Sequence, residues 1–239
     1  MVGLGTVINC GGILLGGLIG LLFSRFFKAA LQDALMKVCG VSVLFIAIAG
    51  ALEGMLQVQG SGVVSSNSLL IVGCLTIGTL LGELMDIEQG FDRFGQWLKV
   101  KTGNASDKGF VDAFVTASLT VCIGAMAIVG AIEDGLSADP SILATKAVLD
   151  LVIILVMTGT MGKGCIFSAI PVALLQGSVT ALAGLLRPIM TQAALSNLSM
   201  IGSILIFCVG VNLLWGKKIR VANMLPSVIL AVVAAFLPV

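Results

Sequence analysis

The chain has 239 residues, 58% of them hydrophobic and only 10% charged, with a mean hydropathy of +1.15, a composition that soluble domains do not reach. Its net charge of +1, with no basic stripe, argues against a nucleic-acid partner, and the lack of histidine and tyrosine removes His-ligated metals, haem and Ser-His or Cys-His catalysis. The six cysteines (Cys10, Cys39, Cys74, Cys122, Cys165 and Cys208) lie in or beside apolar runs without a CxxC spacing, so they read as small buried hydrophobes and no cofactor or metal is expected.

A bilayer core asks for about 20 apolar residues per helix. The first such window, 3–23, lacks a basic leader and a cleavage site and reads as a retained span. It holds Asn9 and a glycine ladder, Gly11, Gly16 and Gly20. Ser24 to Lys37 reads as a short amphipathic connection, followed by a second span over 38–57 that closes on AIAGALEG (47–54). Glu53 in that word is followed by uncharged residues, which places it about a turn below the surface, where a charge needs a partner or a wet cavity. The third span, 67–86, repeats the ladder with Gly73, Gly78 and Gly82.

Between the third and fourth spans lies a polar segment, Asp86 to Gly109, in which Phe91, Phe94, Trp97 and Leu98 recur at helical spacing. That pattern predicts an interfacial cytoplasmic helix at about 88–101. The fourth span, 110–132, carries a small-residue stripe (Thr120, Gly124, Ala127, Ala131, Gly135) and ends AIVGAIEDG, matching the end of the second at an offset of 80 until Asp134 intervenes. Asp134 and Asp139 read as boundary residues, and Glu133 as the member of the acid pair better placed for a partner inside.

In the fifth span, 142–161, Lys146 and Asp150 stand four residues apart and hence on one face, with Asp150 the deepest carboxylate of the chain. An intramembrane acid is a functional candidate, with a structural ion pair as its rival. The sixth span, 166–186, contains Pro171, expected to kink or break the helix, and then Gln176, Gly177, Ser178 and Thr180 at mid-depth, the material of a substrate site. The seventh, 196–216, shares a faint likeness with the second: GVSVLFIAIAGAL (40–52) against GSILIFCVGVNLL (202–214), pointing opposite ways across the membrane, as an inverted-topology repeat would. The eighth, 221–238, opens with Asn223 and Pro226, and RVAN (220–223) echoes TVIN (6–9); capping is the simpler role for Asn223. With these eight spans, eleven Lys and Arg collect on one side and only Lys146 and Arg187 on the other, which by the positive-inside bias puts both termini outside.

The words CIGAMAIVGAIEDGL (122–136), KAVLD (146–150), FSAIPVALLQGSVT (167–180) and IRVANMLPSVILA (219–231), together with GTVIN near the N-terminus and GxxxGELMDIE (78–88), resemble the bacterial membrane family known as domain of unknown function 554. The resemblance implies a multi-pass inner-membrane protein, of a family sometimes labelled transporters, without an assigned substrate. Its motif words fall on Gly124, Met126, Gly130, Asp150, Ser168, Gln176, Gly177, Asn223 and Pro226.

The expectation is therefore an all-α polytopic membrane protein of about eight helices in a single domain. It would act as a secondary transporter of a small molecule or ion in the lipid bilayer of the inner membrane, not as an enzyme. Gln176, Gly177, Ser178, Thr180, Asn9 and Asn223 are the substrate-binding candidates, and Asp150, Glu53 and Glu133 the coupling-ion or proton candidates. Gly124, Gly130, Pro171 and Pro226 are candidates for helix packing or gating. A channel and a non-transporting scaffold or regulatory subunit are the alternatives, and an intramembrane cysteine or Ser-Lys enzyme, which no spacing supports, ranks behind them; the glycine ladders would serve a homo-oligomer as well as internal packing.

Overall fold

In apolar surroundings a backbone can satisfy its own hydrogen bonds only as a helix or a closed barrel, and the chain takes the first solution. The computed structural model describes residues 1–24, 29–59 and 62–236, without the side chains of 29, 57–59 and 125. Arg25 and Lys28 of the charge count fall outside the described residues. The helices are α1 (Leu4–Ser24), α2 (Ala29–Met55), α3 (Ser68–Met85), α4 (Ile87–Lys101), α5 (Phe110–Cys122), α6 (Ala125–Ser137), α7 (Ser141–Met161), α8 (Ala169–Ala181), α9 (Ala183–Leu186), α10 (Gln192–Trp215) and α11 (Pro226–Ala234), with 3-10 turns at Lys163–Ser168 and Val221–Met224. An unexpected antiparallel hairpin, β1 (Leu56–Gln59) and β2 (Gly62–Ser65), joins α2 to α3 with Leu56 opposite Ser65 and Val58 opposite Val63. Among the described residues six helical segments are long and apolar enough to cross a membrane: α1, α2, α3, α7, the 3-10 turn with α8, and α10. The protein is an all-α polytopic membrane protein.

Four expectations about these segments need correction. The fourth span is not one helix, because α5 and α6 meet at 62° across Ile123 and Gly124 and qualify as a crossing segment only together. Its small-residue stripe is thereby split, with Thr120 before the break and Ala127, Ala131 and Gly135 beyond it. Pro171 does not break the sixth: it lies in the first turn of α8, where the missing N–H would have had no helical acceptor. The stretch from Ala29 to Lys37 is no separate connection but the start of α2. The last apolar helix is also short, closing at Ala234.

Close approach between helices is set by glycine. Along α1, Gly5, Gly12, Gly16 and Gly20 meet Leu143, Ala147, Leu151 and Leu155 of α7 in turn, so the two helices run parallel. At three of these steps a Cβ would fall on a carbonyl oxygen of α7, at 2.7 Å for Gly12. The α2–α10 pair is antiparallel: Gly40 meets Leu214, Gly210 meets Leu44, and Gly54 meets Met200. Gly78 and Gly82 of α3 pack on Ser227 and Asn223, again antiparallel. By contrast Gly11 and Gly73, counted in the ladders, face open space, and Gly12 replaces Gly11 in the seam. The six cysteines are free thiols, buried or half-buried.

One end of the bundle gathers charges around α4. Arg220 bridges Glu83 and Asp86, and Lys217 holds the buried Glu88 at 2.8 Å. Phe94 of α4 stacks on Trp97 and tilts against Phe114 of α5, with ring centroids 5.7 and 5.8 Å apart, while Trp97 faces outward.

Candidate functional site

The deepest polar cluster forms where α1, α7, α8 and the α5–α6 break converge. Lys146 and Asp150, one turn apart on α7, point inward because α7 presents that face to the bundle. The ammonium lies 2.7 and 2.6 Å from the two carboxylate oxygens, and the residues are 7% and 3% exposed. Asn9 of α1, fully buried, lies near the Asp150 carboxylate, and neither its amide nitrogen nor its oxygen has a hydrogen-bond partner among the described residues. Cys10 is within electrostatic reach of Asp150 and rests its thiol 3.7 Å from the Ala169 carbonyl of α8, and Cys122, the last residue of α5, is within reach of both charges. Thus four elements bring polar groups to one place.

The break itself is built on glycine. Gly124 sits at φ 145 and ψ 149, a conformation that β-carbon sterics close to other residues, and Ile123 is extended. Non-helical backbone at membrane depth is tolerated where it is buried in protein or lines a cavity. Cys122, Ile123 and Gly124 border a largely apolar cavity of about 440 Å³, shared with Pro171 and Leu175 of α8 and Leu198 of α10. A Cβ at Gly124 would touch nothing within 4 Å, so Gly124→Ala should cost only the backbone strain, about 1–3 kcal/mol. Thermal unfolding in detergent reads this; an alanine variant as stable as wild type would mean that the break does not need a glycine.

The remaining candidates divide by burial. Gln176 is 1% exposed, and neither its amide nitrogen nor its oxygen has a hydrogen-bond partner among the described residues; the Thr180 hydroxyl, one turn on, is in the same condition. Both lie on the face of α8 that packs against α1 and α6. Gly177 is half-buried, whereas Ser178 is exposed and bonds its own helix at Leu175, which removes it from that cluster. Neither Gln176 nor Thr180 borders the cavity at the break. Gly130 presses on Leu143 and Ile142 of α7, and Pro226 opens α11 at its first position. Asn223 does cap a helix, but not its own: its Oδ1 accepts the Glu88 N–H of α4 at 2.7 Å.

The acid pair is reversed from expectation. Glu133 is exposed, with a 3.4 Å contact from Ser137, while Asp134 is fully buried and accepts the Gly5 N–H of α1 at 3.0 Å. Successive helical positions face about 100° apart, so only one acid of a neighbouring pair can turn inward, and the α1 N-terminus supplies the inward one with a donor and a favourable dipole. Asp134→Ala is expected to cost about 1–2 kcal/mol, read as a lowered unfolding midpoint in detergent; an unchanged midpoint would rule out this cap as a stabilising contact. Glu53 is exposed on the bundle, and it borders a small polar cavity with Ser196 and Ser199. Those serines, spaced three apart on α10, were the signal missed in the sequence.

Apolar helices closely packed through glycine, a buried ion pair and a broken span define a helical multi-span membrane protein with a polar centre. The chain belongs to the family described as "Protein of unknown function (DUF554)", whose profile matches residues 4–236. It is similar to the "Uncharacterized membrane protein YdfK" of Bacillus subtilis, 29% identical over 232 residues that cover 97% of this chain and 95% of that one. It is also similar to the "Uncharacterized protein YqgA" of Escherichia coli, 26% identical over 232 residues, 95% of this chain and 94% of that one. No solved structure matches.

Proposed function

We propose that the chain is a secondary permease of the bacterial inner membrane that moves a small solute, and that it does no covalent chemistry. The observation that carries this reading is the convergence of the broken α5–α6 span on the buried Lys146–Asp150 pair. Broken helices beside polar groups at mid-depth are how secondary transporters build their sites, and a charge kept inside a membrane protein marks an ion or proton pathway. Asp150 is the coupling group, held by Lys146, with the unpartnered Asn9 amide nearby. Gln176 and Thr180, buried with unmet hydrogen-bonding capacity, supply the polar groups that a passing solute or water can satisfy.

In this reading the chain crosses eight times, counting α5–α6 as one broken span and the 3-10 turn with α11 as the last. The basic end, where Lys217 and Arg220 lie beside α4, is cytoplasmic, α4 rests at that interface, and both termini are outside. The antiparallel packing of α2 on α10 supports an inverted repeat, since segments 40–52 and 202–214 face each other with opposite direction.

The test is uptake into proteoliposomes of a labelled panel of amino acids, polyamines, choline and sugars, with empty liposomes as control. Wild type should accumulate at least one, and Asp150→Asn and Gln176→Ala, confirmed monodisperse, should each lower that uptake tenfold or more. Uptake unchanged in both variants would remove these residues from the pathway.

A further inference from the structure

Two cavities border α10 at opposite ends of the bundle. Resting on the permease reading and deepening it, we infer that the substrate path winds along α10 between two acidic vestibules, and that the substrate is a small cation.

At the outer end a cavity of about 290 Å³ is bordered by Gly50, Glu53 and Gly54 of α2 and by Gln192, Ser196 and Ser199 of α10. At the basic end a cavity of about 280 Å³ is bordered by Glu88, Asp112, Thr116, Leu119, Val209 and Lys217. Positions 192, 196 and 199 of the first and 209, 212 and 216 of the second are joined through Gly202 by a stripe that winds about 120° around α10. The vestibules therefore border the same helix, about a third of a turn apart around its axis. From Ser199 to Val209 is ten residues of α10, about 15 Å of rise.

That interval is closed by the break. A Cβ on Gly202 would stand 3.5 Å from Cγ2 of Ile123 and 3.9 Å from the backbone of Gly124. Leu119, one turn before Ile123 on α5, borders both the inner vestibule and the apolar cavity behind the break. A pivot at Gly124 that draws Ile123 away from Gly202 would join the two vestibules. Cys122 ties that pivot to the coupling centre, because it adjoins Ile123 and lies within reach of Lys146 and Asp150.

The charge of the vestibules selects the ligand. Among the described residues, Glu53 is the one charged residue bordering the outer cavity. At the inner cavity Glu88 and Asp112 face Lys217. Burial opposes the Lys217 charge, but the Glu88 hydrogen bond and the charges of Glu88, Asp92 and Asp112 outweigh it and raise its proton affinity. With Lys217 committed to Glu88, Asp112 is left to a passing solute. Low-dielectric walls focus such fields, and acidic rims are how cation pathways are marked. Organic ammonium ions and alkali ions share the chemistry, and the cavities have room for either.

Thiol chemistry tests this without flux. Ser199→Cys and Thr116→Cys, with the wild-type chain as baseline for its own cysteines, are treated in oriented vesicles with methanethiosulfonates of like size, one trimethylammonium and one sulfonate. Ser199→Cys should react only from outside and Thr116→Cys only from the cytoplasm. At each site the cationic reagent should be favoured on the order of tenfold over its ratio with a free thiol. Glu53→Gln and Asp112→Asn should abolish the preference at their own vestibule. Ser196→Cys and Val115→Cys replace either variant that does not fold. Modification of one site from both sides, or equal rates for the two reagents, would overturn the inference. Uptake of choline and potassium by the wild-type chain separates this from the underlying reading. Expected thiol rates with no flux of any panel solute would end the permease reading and the path with it. Flux of a sugar or an anion but of neither cation would keep the permease and overturn the cation.

Discussion

Lys146→Met is expected to be among the most destabilising single substitutions in the chain, about 3–5 kcal/mol, because it strands the Asp150 carboxylate at 3% exposure. Asp150→Leu should cost a similar amount by stranding the ammonium. The double variant Lys146→Met/Asp150→Leu removes both charges together and should recover most of the stability, since a buried ion pair barely exceeds the cost of its own desolvation. Thermal or denaturant unfolding in detergent closes the cycle. A double variant no more stable than the singles would show that the pair stabilises the fold in itself.

The second large effect lies in the glycine seams. Gly16→Leu and Gly82→Leu should each prevent native packing or cost about 3 kcal/mol or more, because a Cβ at either position falls on a carbonyl oxygen, of Leu151 or of Asn223, and backbone cannot yield as a side chain does. Gly11→Leu and Gly73→Leu, drawn from the same sequence ladders, meet open space and should change stability by less than about 1 kcal/mol, the usual range for a helix glycine replaced by a better helix former. Yield of monodisperse protein and the unfolding midpoint read all four. Equal behaviour of Gly11 and Gly16 would contradict the α1–α7 interface.

What could be read beforehand was what local physics decides. Long apolar runs located α1, α2, α3, α7 and α10 to within a turn or two at most ends, because span length is set by the bilayer. The Lys146–Asp150 contact followed from helical geometry alone. What depends on a partner far along the chain was not legible. Nothing near Asp134 announces that its carboxylate accepts the N–H of Gly5, 129 positions away, and Gly11 cannot be told from Gly12 until the facing helix is known. The α5–α6 break has no proline. A single glycine in an apolar run is compatible with a continuous helix, and the packing of Ile123 on Gly202 holds the bend. Pro171 misled for the opposite reason: proline at a helix start is harmless, and only the preceding 3-10 turn reveals that a start is there.

On the permease proposal, the buried charges serve transport and not only the fold. The direct measurement is solute uptake into proteoliposomes by the charge-free double variant Lys146→Met/Asp150→Leu, after its unfolding midpoint has been shown to match wild type. The expected result is a folded chain that no longer couples uptake to the ion or proton gradient. A folded double variant that transports like wild type would contradict the account and leave the pair a structural contact.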